Sequence, residues 1–188
     1  MANDVPAGST TTTIAGRLAL FVTLTAFGLG CTRVVHQVTA ADAVTVAHYV
    51  GGVALFLVGL LAFHDRDTAS GTAFTALGAL WFTWALSAGG PVSANGSGLF
   101  LALFAAVVLT LTLAGGDPLT QGTYGLFFVS LALLAVARFA DSGGLAKAGG
   151  WFAVAAGVAA WYAATAALAH WPTALPRRAA GRGATAAG

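Results

Sequence analysis

The stretch Val44-Thr45-Val46-Ala47-His48-Tyr49-Val50-Gly51-Gly52-Val53-Ala54-Leu55-Phe56-Leu57-Val58-Gly59-Leu60-Leu61-Ala62-Phe63 contains no Asp, Glu, Lys or Arg. A helix of that length rises about 30 Å, the thickness of a bilayer's hydrocarbon core. Working outward, five more apolar runs lie at about 14–31, 71–88, 97–114, 122–140 and 148–170. The breaks between runs carry turn chemistry: His64-Asp65-Arg66-Asp67, Gly89-Gly90-Pro91, Gly115-Gly116-Asp117-Pro118 and Asp141-Ser142-Gly143-Gly144. Trp171-Pro172 closes the last run, with Trp171 at interface depth. The pattern predicts an all-α membrane protein, a six-helix transmembrane bundle with short loops.

Composition agrees. Of 188 residues, 58% are hydrophobic and 7% charged, against roughly 25% charged in a soluble domain. A surface so poor in charge belongs in lipid, and a disordered chain would need the opposite balance. Six spans of about 20 residues leave only loops and tails. These are a polar N-terminal tail (1–13), the transmembrane domain (14–170) and a basic, flexible C-terminal tail (171–188) carrying Arg177, Arg178 and Arg182. The tail's basic residues are too few and too interrupted for a nucleic-acid footprint and suit anionic headgroups instead. The single Cys31 forms no internal disulfide. Gly28-Leu29-Gly30-Cys31 faintly resembles a lipoprotein cleavage site. Further membrane spans, not a secreted domain, come after it, so the first span is read as retained.

Six spans put both termini on one side. That side holds Arg17, Arg66, Arg177, Arg178 and Arg182, and the other holds Arg33, Arg138 and Lys147. The excess of positive charge predicts both termini inside, in a plasma (inner) membrane.

Ionisable residues within spans would mark a proton or ion path. No Asp or Glu falls within a run, and Arg17, His48, Arg138 and Lys147 stand near span ends, with Lys147 read as loop. His48 is either an interface histidine or a proton-linked group. No metal-ligand pair, phosphate loop or nucleophile–base pair is present, so neither an enzyme, a metal site nor a cofactor is expected. Small residues recur at helix-packing spacing: Ala26 and Gly30, Gly149, Ala153 and Gly157, and Ala156, Ala160 and Ala164. The third run is the most patterned. Phe74, Leu77, Trp81 and Trp84 share one face, and Thr72, Thr75, Ala79 and Thr83 another. That hydroxyl row either bonds its own backbone or lines a narrow polar path, where weak donors would bind an anion without trapping it.

Gly51-Gly52-Val53-Ala54 through Gly59-Leu60-Leu61, followed by Thr72-Ala73-Phe74-Thr75-Ala76-Leu77-Gly78-Ala79-Leu80-Trp81, resembles the acetate uptake transporter family. Phe127-Phe128-Val129-Ser130-Leu131, Gly150-Trp151 and Trp161-Tyr162 resemble that family's fifth and sixth spans. The resemblance extends over about 14–170. It implies a six-helix protomer with one pore, a homohexamer, and passage of acetate and related small carboxylates, either with protons or as the neutral acid. The departures are specific. Leu55 stands for the family Gln, Ala62 for a Glu and Asp67 for an Asn. Leu77 stands for the Tyr of the Phe-Tyr-Leu constriction, and Thr10 to Arg17 replace the Asn-Pro-x-Pro-Leu-Gly signature.

On that basis Leu20, Leu77 and Leu131 are expected to form the constriction. Thr72, Thr75, Thr83, Gly51 and Gly52 are expected to line the path. The expected partners are a small carboxylate, membrane lipid and further copies of the chain. The competing expectation is a degenerate member with a structural or partner-binding role, or a pore for another small neutral solute such as ammonia.

Overall fold

The computed structural model describes residues 11–34, 40–88, 90 and 93–171. Most of the N-terminal tail, Gly89, Pro91 and the C-terminal tail from Pro172, with its three arginines, lie outside the described residues. The helices are α1 (Thr11–Thr32), α2 (Ala40–Val46), α3 (Leu55–His64), α4 (Thr68–Ser87), α5 (Ala94–Leu113), α6 (Pro118–Phe139) and α7 (Gly143–Leu168), and a π-helical segment (Ala47–Ala54) joins α2 to α3. Five stretches are long and apolar enough to cross a membrane: Thr11–Thr32, Asp42–His64, Ala94–Leu113, Pro118–Phe139 and Gly143–Leu168. The sixth span, α4, is 20 residues long, but its Thr, Ser and Gly dilute its hydropathy. It buries Phe74, Leu77, Leu80 and Trp81 in the protein rather than offering them to lipid.

Helix starts follow side-chain capping. Asp67 accepts from the Ser70 amide at 3.0 Å, Ser93 from Gly96 at 3.0 Å, and Asp117 from Thr120 at 3.0 Å with Pro118 opening the helix. Each cap satisfies an amide that the first turn would leave unpaired. The caps explain why α4, α5, α6 and α7 begin a few residues before the apolar runs that announce them. Lys147 accordingly sits in the opening turns of α7 rather than in a loop. The cause is Ser142, which caps the helix at the Leu145 amide and draws Gly143 to Lys147 into it.

Helix ends use left-handed residues. Arg66 (φ 61°), Asp141 (φ 46°) and His170 (φ 54°) each stand just past a helix. The next amides reach back to the last turns: Asp67 to the Ala62 carbonyl, Ser142 to Ala137 and Trp171 to Ala166, at 2.9–3.0 Å. These are Schellman closures built without glycine.

The spans form a ring of antiparallel neighbours. α5 packs on α6, α6 on α7 and α7 on α1, while α1 meets the α2–π–α3 span, which packs on α4. The small residues of α7 belong to this packing. Gly149 faces Leu134 and Ser130 of α6, and Gly157 faces Phe21 and Thr25 of α1. A Cβ on Gly28 would stand 2.5 Å from the Gly150 carbonyl, so α1 and α7 touch backbone to backbone. Outward faces are apolar, with Leu57, Leu60 and Leu61 on α3 and Leu99, Leu103 and Leu113 on α5 exposed. That suits lipid or another copy of the chain.

Candidate permeation axis

Three parallel spans, α1, α4 and α6, turn their inner faces toward one another. On α1 the face is Gly16, Leu20, Thr23 and Phe27. On α4 it is Phe74, Leu77, Trp81 and Trp84, and on α6 it is Thr120, Tyr124, Phe127 and Leu131. The steps of three and four residues keep each set on one side of its helix. Their relative levels are fixed by contacts. Gly16 lies against the Phe74 ring. Arg17 bonds Thr120. Trp81 stacks on Phe127, with centroids 5.5 Å apart and planes at 16°, and meets Phe27 edge-on at 5.1 Å.

The first layer is a polar cluster. Arg17 Nη2 stands 2.8 Å from Asp117 Oδ2 and donates to Thr120 Oγ1 at 3.0 Å, and the Thr120 hydroxyl donates to the same carboxylate at 2.6 Å. Arg17 Nη1 also reaches the Ala163 carbonyl at 3.5 Å. Burial tends to raise the pKa of Asp117. The Thr120 hydroxyl and amide, the Arg17 charge and the Leu119 amide outweigh that, so the carboxyl is held below its ordinary value. Sequence reading places Arg17 near a span end. The structure adds that its guanidinium is largely covered and ion-paired.

The second layer is apolar. Leu20 lies between the levels of Arg17 and Thr23, Leu77 between Phe74 and Trp81, and Tyr124 between Thr120 and Phe127. Leu20 is 2% exposed and Leu77 0%, and both share one core with Tyr124 and Leu131. Leu131 lies seven residues beyond Tyr124, about 10 Å along the helix. It therefore belongs with Trp84 in a deeper layer, and the side chain of α6 level with Leu20 and Leu77 is Tyr124.

The third layer holds Thr23, Phe27, Trp81 and Phe127, with Gly51 of the π-helical segment against it. A Cβ on Gly51 would stand 2.6 Å from Thr23 Cγ2 and 2.8 Å from Trp81 Cγ. Trp81 is 1% exposed, and its Nε1 has no hydrogen-bond partner among the described residues.

Other expected residues stand elsewhere. At about 100° per residue, Thr83 lies some 200° around α4 from Trp81, and Thr72 also lies on the outer side. Both are exposed. Thr75 packs its methyl against Gly59 of α3. The Thr75 hydroxyl donates to the Gly71 carbonyl at 2.6 Å and that of Thr83 to Ala79 at 2.8 Å. The Thr75 and Thr83 hydroxyls thus serve their own backbone, and Thr72, Thr75 and Thr83 stand away from the face that carries Leu77 and Trp81. Gly52 meets the Phe82 backbone, off the axis. His48 lies 4.9 Å from Tyr49 and 5.1 Å from Phe82, ring to ring, also off the axis.

Sequence reading places Trp81 on one face with Phe74, Leu77 and Trp84 but misses its unpaired N–H, and it misses Thr23 and Tyr124 altogether. A Thr or Tyr at core spacing inside an apolar run is the signal that could have found the last two.

No curated protein compared matches the chain. The fold is similar to that in "Structure of the bacterial acetate channel SatP", with a TM-score of 0.78 at 22% identity, over 87% of this chain and 94% of that one. The sequence profile of the GPR1/FUN34/yaaH family matches residues 11–174. The chain therefore belongs to the GPR1/FUN34/yaaH family, the acetate uptake transporters.

Proposed function

We propose that this protein passes acetate and related small monocarboxylates through the axis between α1, α4 and α6, and that the species crossing the apolar layer is the neutral acid. The observation that carries this reading is the layer of Leu20, Leu77 and Tyr124 beyond the Arg17–Asp117 cluster. Family membership and the acetate channel's similar fold support the substrate class.

Magnitudes decide the species. Moving a carboxylate into a dry apolar layer costs of order 20 kcal/mol in the ideal limit, and several after relaxation. A negative-inside potential adds about 2.3 kcal/mol per 100 mV against entry of an anion. Protonating a carboxyl with a pKa near 4.5 at pH 7 costs about 3.4 kcal/mol. The neutral acid is the cheaper traveller, and its proton leaves on the far side.

In this reading both termini face the cytoplasm across the inner membrane, and the protomers assemble as a homohexamer. The apolar outer faces of α3 and α5 are compatible with such assembly. The test is uptake of labelled acetate into proteoliposomes, against empty liposomes. We expect saturable, protein-dependent flux. Leu77→Tyr, which places a second phenol in the Tyr124 layer, should lower passage of larger acids relative to acetate. Unchanged ratios remove Leu77 from the constriction. The closed axis also favours a second reading, a non-conducting family member that binds a partner. Folded, oligomeric protein with no flux above the control would favour it over acetate transport.

A further inference from the structure

The protein leaves a groove open on its membrane face, between α5 and α6. Its volume is about 350 Å³. Ala102, Ala105 and Ala106 of α5 and Ala132 and Ala135 of α6 line it, and all nine lining residues are apolar. Ala105 and Ala135 lie deepest, 5% and 4% exposed, while Leu109, Val136 and Phe139 stand exposed at the rim. An empty gap forfeits the dispersion contacts that its lining could make. In a bilayer such a gap is filled from outside, by a lipid chain or by another helix.

Depth separates those two occupants. The lining runs along α6 from Phe128 to Phe139, about 16 Å of helix. Phe128 stands at the middle of the 22-residue helix Pro118–Phe139, and Phe139 at its end. The groove therefore extends from the middle of the bilayer to one surface, the depth of one leaflet's hydrocarbon, about 15 Å. An acyl chain of that leaflet has this reach. A helix from a second copy crosses both leaflets and would need the groove to continue past Phe128. Nine lining residues also fall short of the roughly 20–30 that each side of a stable protein interface presents.

The surface end suits an anionic headgroup. Arg138, in the last turn of α6 beside Phe139, is exposed and has no ion-pair partner among the described residues. The described residues at this end carry Arg33, Arg138 and Lys147 against Asp42 and Asp141. Those at the opposite end carry Arg17 and Arg66 against Asp65, Asp67 and Asp117. The groove thus opens toward the end with the excess of positive charge, which attracts acidic lipid.

We propose that the α5–α6 groove holds one acyl chain of an anionic phospholipid, drawn from the leaflet opposite the Arg17 end, and that Arg138 binds its phosphate. The alanines admit the chain, and the guanidinium offers the phosphate charge-assisted hydrogen bonds. Arg138 lies about 100° around the helix from Phe139, a turn that its long side chain and the headgroup span together. The site stands on the fold and does not depend on what crosses the axis.

The test is native mass spectrometry of the full-length protein, stripped of lipid in detergent and titrated with dioleoyl phosphatidylglycerol or dioleoyl phosphatidylcholine. We expect phosphatidylglycerol to saturate at one tightly bound lipid per protomer, with a half-point at least fivefold below that of phosphatidylcholine. Ala106→Phe fills the groove from an exposed position and should raise the phosphatidylglycerol half-point at least tenfold. Ala132→Phe takes its place if that variant does not fold. Arg138→Gln should bring the half-points of the two lipids together. Leu103→Phe, exposed on α5 but off the groove, should change neither.

Phosphatidylglycerol binding that is unaltered in the groove-filling variant overturns the site. Equal half-points for the two lipids in the unsubstituted protein overturn the headgroup contact. Loss of the oligomer's mass in Ala106→Phe, with the bound lipid per protomer retained, gives the groove to a second copy of the chain instead.

Discussion

Asp117 does two jobs with one carboxylate. It caps α6 through the Thr120 amide, and it holds Arg17 in the polar cluster. Its folded pKa lies below the ordinary carboxylate value near 3.9. The contribution is therefore fully present above that value and is lost as pH falls through the lowered folded pKa. Replacing Asp117 by Ala should cost about 1 kcal/mol from the cap, with the ion pair adding little because Asp117 is 44% exposed. Thermal melting in detergent between pH 2.5 and 7 checks this. The wild type should lose stability at the acid end more steeply than Asp117→Ala, and parallel curves would show that the carboxylate carries no pH-linked stability. At this scale the sequence was only partly legible. The spacing of Phe74, Leu77, Trp81 and Trp84 put them on one face of α4 without saying where that face turns. Whether Arg17 snorkels or pairs depends on Asp117, a hundred residues away, and no local pattern records that.

Among the elements, the six spans could be read directly, because lipid demands long apolar helices with internally satisfied backbones. Boundaries shifted outward where a Ser or Asp cap recruited polar residues into a first turn, as Ser142 did for Lys147. The π-helical segment could not be read, since its widened turn answers to neighbours rather than to its own residues. Gly51 is where those neighbours press. Gly51→Ala should clash with Thr23 and Trp81 and destabilise by about 1–3 kcal/mol. Gly122→Ala on α6, where nothing lies within 4 Å, should cost nothing. Melting temperatures of the pair test the packing of the second span on α1 and α4. Equal melting would show that the segment relaxes freely.

In the whole molecule, what composition could not convey was the rotation of each helix. The same α4 carries a hydroxyl row and an aromatic row, and the chain alone does not say which one faces inward. Packing decided it: Gly59 of α3 covers Thr75, so Leu77 and Trp81 turn to the axis. A path so poor in charge can pass a carboxyl group cheaply only when that group is neutral, and the proposed mechanism stands or falls on that neutrality.

The most direct test is initial acetate uptake into proteoliposomes with a pH dye inside, at fixed total acetate from pH 5 to pH 8, after subtraction of empty liposomes. Passage of the neutral acid predicts saturable, protein-dependent uptake that falls about tenfold per pH unit above the acid's pKa, with one proton released inside per acetate. Protein-dependent uptake that is flat across this range, without acidification of the lumen, would contradict it.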